Sequence, residues 1–160
     1  MWLDFSLLDS FLVGASLLDF SLYAGLFIAA FVAATLLPLQ SELVLVGLLL
    51  AGKNNPAILL AVATFGNVLG SLVNWFLGRF IDRFSNKTWF PVSPEQLARA
   101  AKSYQRFGRF SLLLAWMPII GDPITLIAGV LREPLWSFLI LVTIAKFGRY
   151  LVLTIATLGF

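Results

Sequence analysis

The chain has 160 residues, of which 60% are hydrophobic and 12% charged, with a net charge of +3 and a mean hydropathy of +0.95. These values lie outside the range of soluble globular proteins and indicate a single-domain integral membrane protein. Since the chain contains neither cysteine nor histidine, thiolate metal sites and Ser-His-Asp chemistry are excluded, and we expect no metal, no cofactor and no enzymatic activity.

The first twenty residues are apolar but carry acids in place of bases. Residues 1–20 include Asp4, Asp9 and Asp19 and no Lys or Arg, so they lack the basic region that begins a signal peptide. We therefore interpret residues 1–20 as a retained segment that lies in the membrane interface.

Four long apolar stretches follow. They cover residues 21–52, 56–79, 110–131 and 134–160. The second and fourth are each long enough for one helical crossing of about 30 Å of hydrocarbon. The first and third are each interrupted near the middle by a proline and an acid, which leaves halves that are short for a complete span. We predict that both fold as re-entrant helical hairpins, whose broken backbone survives only when it is buried in protein or lines a wet cavity. Fully spanning halves would give the same topology.

The interruptions are marked by proline and glycine. We expect hairpin breaks at Pro38, Pro118, Gly121 and Pro123. Proline removes a backbone donor and clashes with the preceding turn. Each break therefore begins a half-helix inside the membrane, and its free N–H groups and positive dipole end attract an anion.

Basic residues concentrate in the loop at residues 80–109, whereas the first fifty residues contain none. The positive-inside bias predicts that this loop is cytoplasmic and that anionic lipid headgroups are its partners. No nucleic acid is expected, because nothing forms a groove or a stacking platform. Within the loop, SPEQLARAAKSYQRFG at 93–108 has Ser93 as N-cap, Pro94 at the first position and Gly108 as the stop. This pattern predicts an amphipathic helix on the membrane surface, or an ordinary linker helix with a solvated face.

The two hairpins correspond to each other at an offset of 80 residues. Pro38 aligns with Pro118, and Glu42 aligns with Asp122. Because one crossing separates the hairpins, they must enter the membrane from opposite sides. The predicted fold is an all-α membrane protein of two inverted repeats, each a hairpin followed by a transmembrane helix. Transporters with this arrangement hold their substrate at the bilayer midplane.

Four ionisable residues are predicted at membrane depth: Glu42, Asp122, Lys146 and Arg149. Each costs about 2.5 to 3.5 kcal/mol at the centre of a helix, so such residues are usually paired or functional. Lys146 and Arg149 are three residues apart and share a helical face. Two cations on one face, one of them a planar fork of donors, suit a phosphate, so we predict that these four residues bind the substrate.

Other roles remain open for the same residues. The bases could merely neutralise the acids and hold both hairpins against the last helix. Asp122 could also be the N-cap of a helix whose first residue is Pro123, and Ser41 could cap the helix of Glu42. A poorly hydrated carboxylate retains a proton more readily, which makes Glu42 and Asp122 candidates for proton coupling.

Three segments resemble the DedA family, also called the SNARE-associated or VTT-domain family, and its small YqaA-like branch. They are PLQSE at 38–42, GNVLGSLVNWFLGR at 66–79 and FGRFSLLLAWMPIIGDPITLIAGVLR at 107–132. The resemblance implies two inverted re-entrant hairpins in the bacterial cytoplasmic membrane. It also implies movement of polyisoprenyl phosphate or phospholipid between leaflets, with a dependence on the proton gradient.

The second hairpin departs from the family pattern R-F-x-P-x-x-R. Its two arginine positions are Ala115 and Gly121 here. We hypothesise that Lys146 and Arg149 supply the missing charge from the last helix.

These observations predict a transporter that moves a phosphate-bearing lipid between leaflets and is coupled to protons. Two other hypotheses remain. One is a proton-coupled transporter of a small soluble anion, which needs a sealed wet pathway. The other is a membrane scaffold without transport activity, in which the charges only hold the fold.

Overall fold

The computed structural model describes residues 5–35, 40–80, 102, 104, 106–117 and 120–159. Within these ranges it contains six helices with defined bounds and no strand, which confirms the all-α class. They are α1 (Phe5–Thr35), α2 (Gln40–Ala51), α3 (Pro56–Arg79), a 3₁₀ helix (Gly108–Trp116), α4 (Gly121–Val130) and α5 (Leu135–Leu158).

Helices α3 and α5 are the two candidate membrane spans among the described residues. Each has 24 residues, and their bounds closely follow the predicted spans 56–79 and 134–160. The start of α3 has a chemical cause, since Asn55 Oδ1 accepts a hydrogen bond from the Ala57 N–H at 2.9 Å and Pro56 fits the first turn. At the end of α5, Gly159 adopts a left-handed φ of 75°, as expected of a helix stop.

Helix α1 differs from the predicted division of the N-terminal region. We expected an interfacial segment at 1–20 and the first hairpin from residue 21, but α1 runs without a break from Phe5 to Thr35. The reason is local. The helix contains no proline, and its two glycines, Gly14 and Gly25, each cost only about 1 kcal/mol relative to alanine.

The two short helices lie where the second arm of each hairpin was predicted. Helix α2 has 12 residues and α4 has 10, so at 1.5 Å per residue they extend about 18 Å and about 15 Å. The predicted break residues Pro38 and Pro118 lie outside the described residues, as does most of the predicted helix 93–108. Gly108, its predicted stop, has a left-handed φ of 57°.

Apolar side chains pack into two separate clusters. The first joins α1, α2, α3 and α5 and contains Leu26, Leu45, Leu49, Leu59, Leu60, Ala63 and Tyr150. The second joins α3, the 3₁₀ helix, α4 and α5 and contains Val68, Trp75, Tyr104, Leu112, Ala115, Ile124, Ile127, Ala128, Phe138, Val142 and Ala145. Asn67 and Lys146, each the twelfth residue of its 24-residue helix, lie where the clusters meet. A polar layer therefore crosses the middle of the molecule.

Glycines allow α3 to approach its neighbours closely. A Cβ atom at Gly66 would lie 2.6 Å from the carbonyl oxygen of Phe27 in α1, and one at Gly78 would overlap the carbonyl oxygen of Leu126 in α4. Gly129 of α4 has the same relation to Trp75. The glycines of α3 thus lie on a packing face, as is common between membrane helices.

A hydrogen bond anchors the chain before the 3₁₀ helix to the turn between α4 and α5. The hydroxyl of Tyr104 donates to Glu133 Oε2 at 2.5 Å, and Trp75 Nε1 donates to the Glu133 carbonyl oxygen at 3.2 Å. Burial, followed by the neighbouring Glu133 carboxylate, raises the pKa of Tyr104 above its ordinary value. The tyrosine is therefore held in its neutral, donating form.

Candidate functional site

An ion pair connects α2 to α5. Glu42 lies in the first turn of α2, and its Oε1 accepts a hydrogen bond from Arg149 Nε. The Glu42 and Arg149 side chains are 24% and 13% exposed. The pair is thus largely withdrawn from the surface without being sealed off.

A second ion pair connects α4 to α5. Asp122 lies in the first turn of α4, and Lys146 Nζ donates to its Oδ1 at 3.1 Å. The Lys146 side chain is only 3% exposed, against 21% for Asp122. A charge removed from water to this extent must have a partner, because desolvating a lone ammonium costs several kcal/mol.

The two ion pairs form one cluster because both bases belong to α5. Lys146 and Arg149 are three residues apart and therefore lie on one face of α5. The pairs also interact electrostatically across the site, since Lys146 interacts with both Glu42 and Arg149. Two acids and two bases cancel in formal charge. The structure thus joins all four predicted site residues and attaches both short helices to the same long helix.

The structure corrects two of the capping alternatives. The residue that precedes α4 is Ile120, which makes no side-chain capping bond, so Asp122 is inside the helix and its carboxylate is free to pair with Lys146. Pro123 is tolerated there because first-turn N–H groups lack helical partners in any case. Ser41 lies within α2, and its hydroxyl bonds to Tyr150.

Tyr150 is a site residue that the sequence reasoning missed. Its hydroxyl lies 2.9 Å from Ser41 Oγ and accepts a hydrogen bond from Asn67 Nδ2 at 2.8 Å. It therefore ties together α2, α3 and α5 beside the Glu42–Arg149 pair. The available signal was a tyrosine four residues after Lys146 in a mainly apolar span, but an uncharged side chain carries no large cost of burial that would mark it as a site residue.

An apolar groove opens beside Arg149, between α5 and the 3₁₀ helix. It has a volume of about 580 Å³ and is lined by Leu113, Trp116, Ile144, Ala145, Gly148, Arg149 and Val152. A second groove of about 280 Å³ shares Trp116, Arg149 and Val152 and also includes Glu42. A Cβ atom at Gly148 would meet no atom within 4 Å. Arg149 is therefore both a member of an ion pair and part of the wall of an apolar groove.

Comparisons with known proteins find similarity along most of the chain. Residues 37–158 match the VTT domain. The inner membrane protein YqaA of Escherichia coli (strain K12) is 38% identical over 133 residues, which cover 83% of this chain and 89% of the relative. An uncharacterized protein of Haemophilus influenzae is 35% identical over 135 residues, which cover 80% of this chain and 82% of the relative. No solved structure matches the chain.

Proposed function

The chain belongs to the VTT-domain family, also called DedA, and is a bacterial inner-membrane protein; from this premise we propose that it moves a phosphate-bearing lipid between leaflets. The substrate is a polyisoprenyl phosphate or a phospholipid. Its headgroup binds Arg149 and Lys146, and its chains remain in the bilayer. Glu42 and Asp122 compete with the phosphate for the two cations and carry protons between the two sides.

The single observation that carries this proposal is the position of Arg149. Its Nε–H donates to Glu42, and the side chain also lines the apolar groove with Leu113, Ile144 and Val152. A guanidinium has five N–H donors, so the Nη groups are suited to two parallel hydrogen bonds to phosphate oxygens. A lipid with its phosphate at Arg149 would extend its hydrocarbon along the groove.

The apolar groove favours a lipid over a soluble anion. A soluble anion needs a hydrated path along its whole route, whereas the walls beside Arg149 are mainly aliphatic and aromatic. Gly148 leaves the groove wide at the level of the cation, since a side chain there would project into open space. These features support a headgroup site that opens sideways toward the lipid.

Packing around Ala115 and Gly121 supports the hypothesis that α5 supplies the cations. A Cβ atom at Gly121 would lie 2.5 Å from the carbonyl oxygen of Ala115, and Ala115 itself is fully buried. An arginine at either position would not fit without a large shift. In this chain, the bases three residues apart on α5 are the alternative source of positive charge.

We further propose that the inverted-repeat topology underlies transport. At about 18 Å and about 15 Å, α2 and α4 are shorter than the 30 Å hydrocarbon core. Their first turns carry Glu42 and Asp122, and both acids meet α5 near its middle. Two re-entrant hairpins that enter from opposite sides would bring their tips together at this depth, where each leaflet could reach the site in turn.

A charge exchange tests the proposal. Glu42→Arg combined with Arg149→Glu retains an ion pair between α2 and α5 but moves the cation out of the α5 wall. Purified protein in liposomes that contain fluorescent polyisoprenyl phosphate or fluorescent phosphatidylglycerol is assayed for exposure of the label to an added quencher. We expect the exchange variant to retain thermal stability in detergent but to lose lipid movement.

Two further variants and a soluble probe sharpen this experiment. Gly148→Leu fills the groove without touching the ion pair and should also slow lipid movement, whereas Arg132→Ala removes an exposed arginine and should have no effect. Inorganic phosphate is tested as the soluble substrate. If the exchange variant moves lipid as fast as wild type, or if wild type moves no lipid, the proposed function is wrong.

A further inference from the structure

The inward face of α3 carries three polar residues that are almost completely buried: Asn67, Ser71 and Asn74. Their spacing of four and then three residues aligns them on one side of the helix. None belongs to the ion pairs, and each is costly to bury in a membrane protein unless all of its polar atoms have partners.

Hydrogen bonds fix the orientation of both asparagine side chains. Asn67 Nδ2 donates to the Tyr150 hydroxyl at 2.8 Å, and Asn74 Nδ2 donates to the carbonyl oxygen of Ala34 at 2.8 Å. The amide oxygens must therefore point the other way. Within the described part of the chain, Asn67 Oδ1, Asn74 Oδ1 and Ser71 Oγ have no hydrogen-bond partner. The face thus presents a row of buried oxygens that require donors.

The spacing of the three residues favours water over a bound calcium ion as their ligand. At 1.5 Å per residue, Asn67 and Ser71 are about 6 Å apart along the axis, and Ser71 and Asn74 about 4.5 Å apart. Calcium takes six to eight oxygens at about 2.3 to 2.6 Å, and three oxygens spread over about two turns do not converge on one point. Water molecules, each with two to four hydrogen bonds, can bridge such a row.

Both ends of this row lead to an ion pair. At one end, Asn67 bonds to Tyr150, which bonds to Ser41, the residue adjoining Glu42 in α2. At the other end, Asn74 Nδ2 approaches Thr125 Oγ1 at 3.4 Å, and Thr125 donates to the carbonyl oxygen of Asp122 at 2.7 Å. Hydrogen bonds and close polar contacts therefore lead from one end of the row to the residue beside Glu42 and from the other end to the backbone of Asp122, and the three oxygens without partners lie between these ends.

We propose that ordered water occupies this face of α3 and forms a proton path between the Glu42–Arg149 pair and the Asp122–Lys146 pair. A proton that leaves the carboxylic acid form of one acid passes from water to water and is taken up by the carboxylate of the other. Asn67, Ser71 and Asn74 hold the water and do not titrate. Glu42, Asp122, Lys146, Arg149 and Tyr150 are the titratable groups that flank the path.

The coupling of this path to lipid movement rests on the proposed function, but the presence of water does not. X-ray radiolysis in solution generates hydroxyl radicals from water and labels side chains that lie beside it, including buried ones. Tyr150 and Phe138 are both fully buried, but only Tyr150 adjoins the proposed water. We expect Tyr150 to be labelled several-fold faster than Phe138 in the wild-type protein.

A matched pair of serine variants tests the function of the water. Ser71→Ala removes a buried hydroxyl without a partner among the described residues, whereas Ser111→Ala removes a buried hydroxyl that already donates to the Gly108 carbonyl oxygen at 2.8 Å. In proteoliposomes with a pH-sensitive dye inside, Ser71→Ala should slow proton uptake several-fold and reduce the labelling of Tyr150. Ser111→Ala should change neither.

The results separate this inference from the proposed function. If Tyr150 is labelled no faster than Phe138 in wild type, no water lies beside α3 and the inference is wrong, whether or not the variants fold. It is also wrong if a folded Ser71→Ala takes up protons at the wild-type rate. If labelling and proton uptake follow the expected pattern but no lipid moves, the water path stands and lipid transport fails.

Discussion

Lys146 is a buried charge that is paired with an acid. Its side chain is 3% exposed and its ammonium group contacts Asp122 at 3.1 Å. The sequence predicted that Lys146, Arg149, Glu42 and Asp122 belong to one site, because charged residues in long apolar stretches need partners. Which acid pairs with which base could not be predicted, since this depends on how α2 and α4 are placed along α5.

The buried pair gives a stability prediction. Lys146→Met leaves Asp122 without a partner and should lower the free energy of unfolding by about 3 kcal/mol, the lower end of the range for breaking a buried pair, because Asp122 is partly exposed. Adding Asp122→Asn removes the unpaired charge and should recover most of that loss. Thermal unfolding in detergent measures both, with the exposed Lys102→Met as control. Equal stability of Lys146→Met and wild type would contradict the prediction.

Two glycines should respond to alanine in opposite ways. Gly148→Ala places a methyl group in open space and should stabilise the protein by about 1 kcal/mol through helix propensity. Gly70→Ala brings a methyl group against the carbonyl oxygen of Phe31 in α1 and should destabilise it by about 1 to 3 kcal/mol. Unfolding in detergent compares the two variants. The packing of α1 on α3 would be wrong if both variants gained stability.

Among single residues, the uncharged polar ones were the least predictable from the sequence. Tyr150 and Asn67 form a buried hydrogen-bonded junction, but neither carries a charge whose cost would have drawn attention to it. Asp122 had a second interpretation as a helix cap, because its neighbour Pro123 suits a first turn. In the structure α4 begins at Gly121, so Asp122 lies inside the helix and does not cap it.

At the level of elements, the long helices were predictable and the short ones only partly. Helix α3 follows its predicted bounds because a capping asparagine and a proline mark its start. The division at residue 20 had no such marker, and α1 passes through it. The 3₁₀ winding of Gly108–Trp116 was not foreseen, since runs of this length are uncommon and hydrophobic periodicity does not reveal them.

The hydrogen bond between Tyr104 and Glu133 connects the chain before the 3₁₀ helix to the turn between α4 and α5. It predicts how the stability of the protein changes with pH. The pKa of Tyr104 is raised above its ordinary value of 10.0. The hydrogen bond from Tyr104 to Glu133 therefore stabilises the fold fully below pH 10, and this stabilisation is lost as the pH rises above 10. Tyr104→Phe should lower the free energy of unfolding by about 1.5 to 3 kcal/mol at pH 8, the range for a hydrogen bond to a charged group. The difference between wild type and variant, measured by unfolding from pH 7 to 11, should shrink only above pH 10. A difference that already shrinks between pH 7 and 9 would count against this contact.

For the whole molecule, the sequence predicted a membrane protein whose two halves correspond, and the described helices agree with its all-α class. Polar residues at the middle of α3 and α5 form the layer between the two apolar clusters. The sequence could not predict this layer in detail, because only a folded chain aligns the middle of α3 with the middle of α5. The side of the membrane on which each loop lies remains a prediction from charge.

Cysteine labelling tests the predicted topology, and the absence of native cysteine makes single substitutions informative. Lys53 and Lys102 are both exposed and lie beyond opposite ends of α3. An impermeant maleimide should label Lys53→Cys from the periplasmic side, after the outer membrane is made permeable, and Lys102→Cys only after the inner membrane is opened. Labelling of both from one side would contradict a crossing at α3, and the reverse pattern would contradict a cytoplasmic loop 80–109.

The 3₁₀ helix that forms one wall of the apolar groove has a mechanical consequence. It rises about 2.0 Å per residue, whereas an α-helix rises about 1.5 Å. Rewinding its nine residues as an α-helix would shorten the segment by about 4.5 Å and turn its far end by roughly half a revolution relative to its start. Trp116, at that far end, lines the groove together with Arg149, so a change of helical pitch would change the shape of the groove beside the cation.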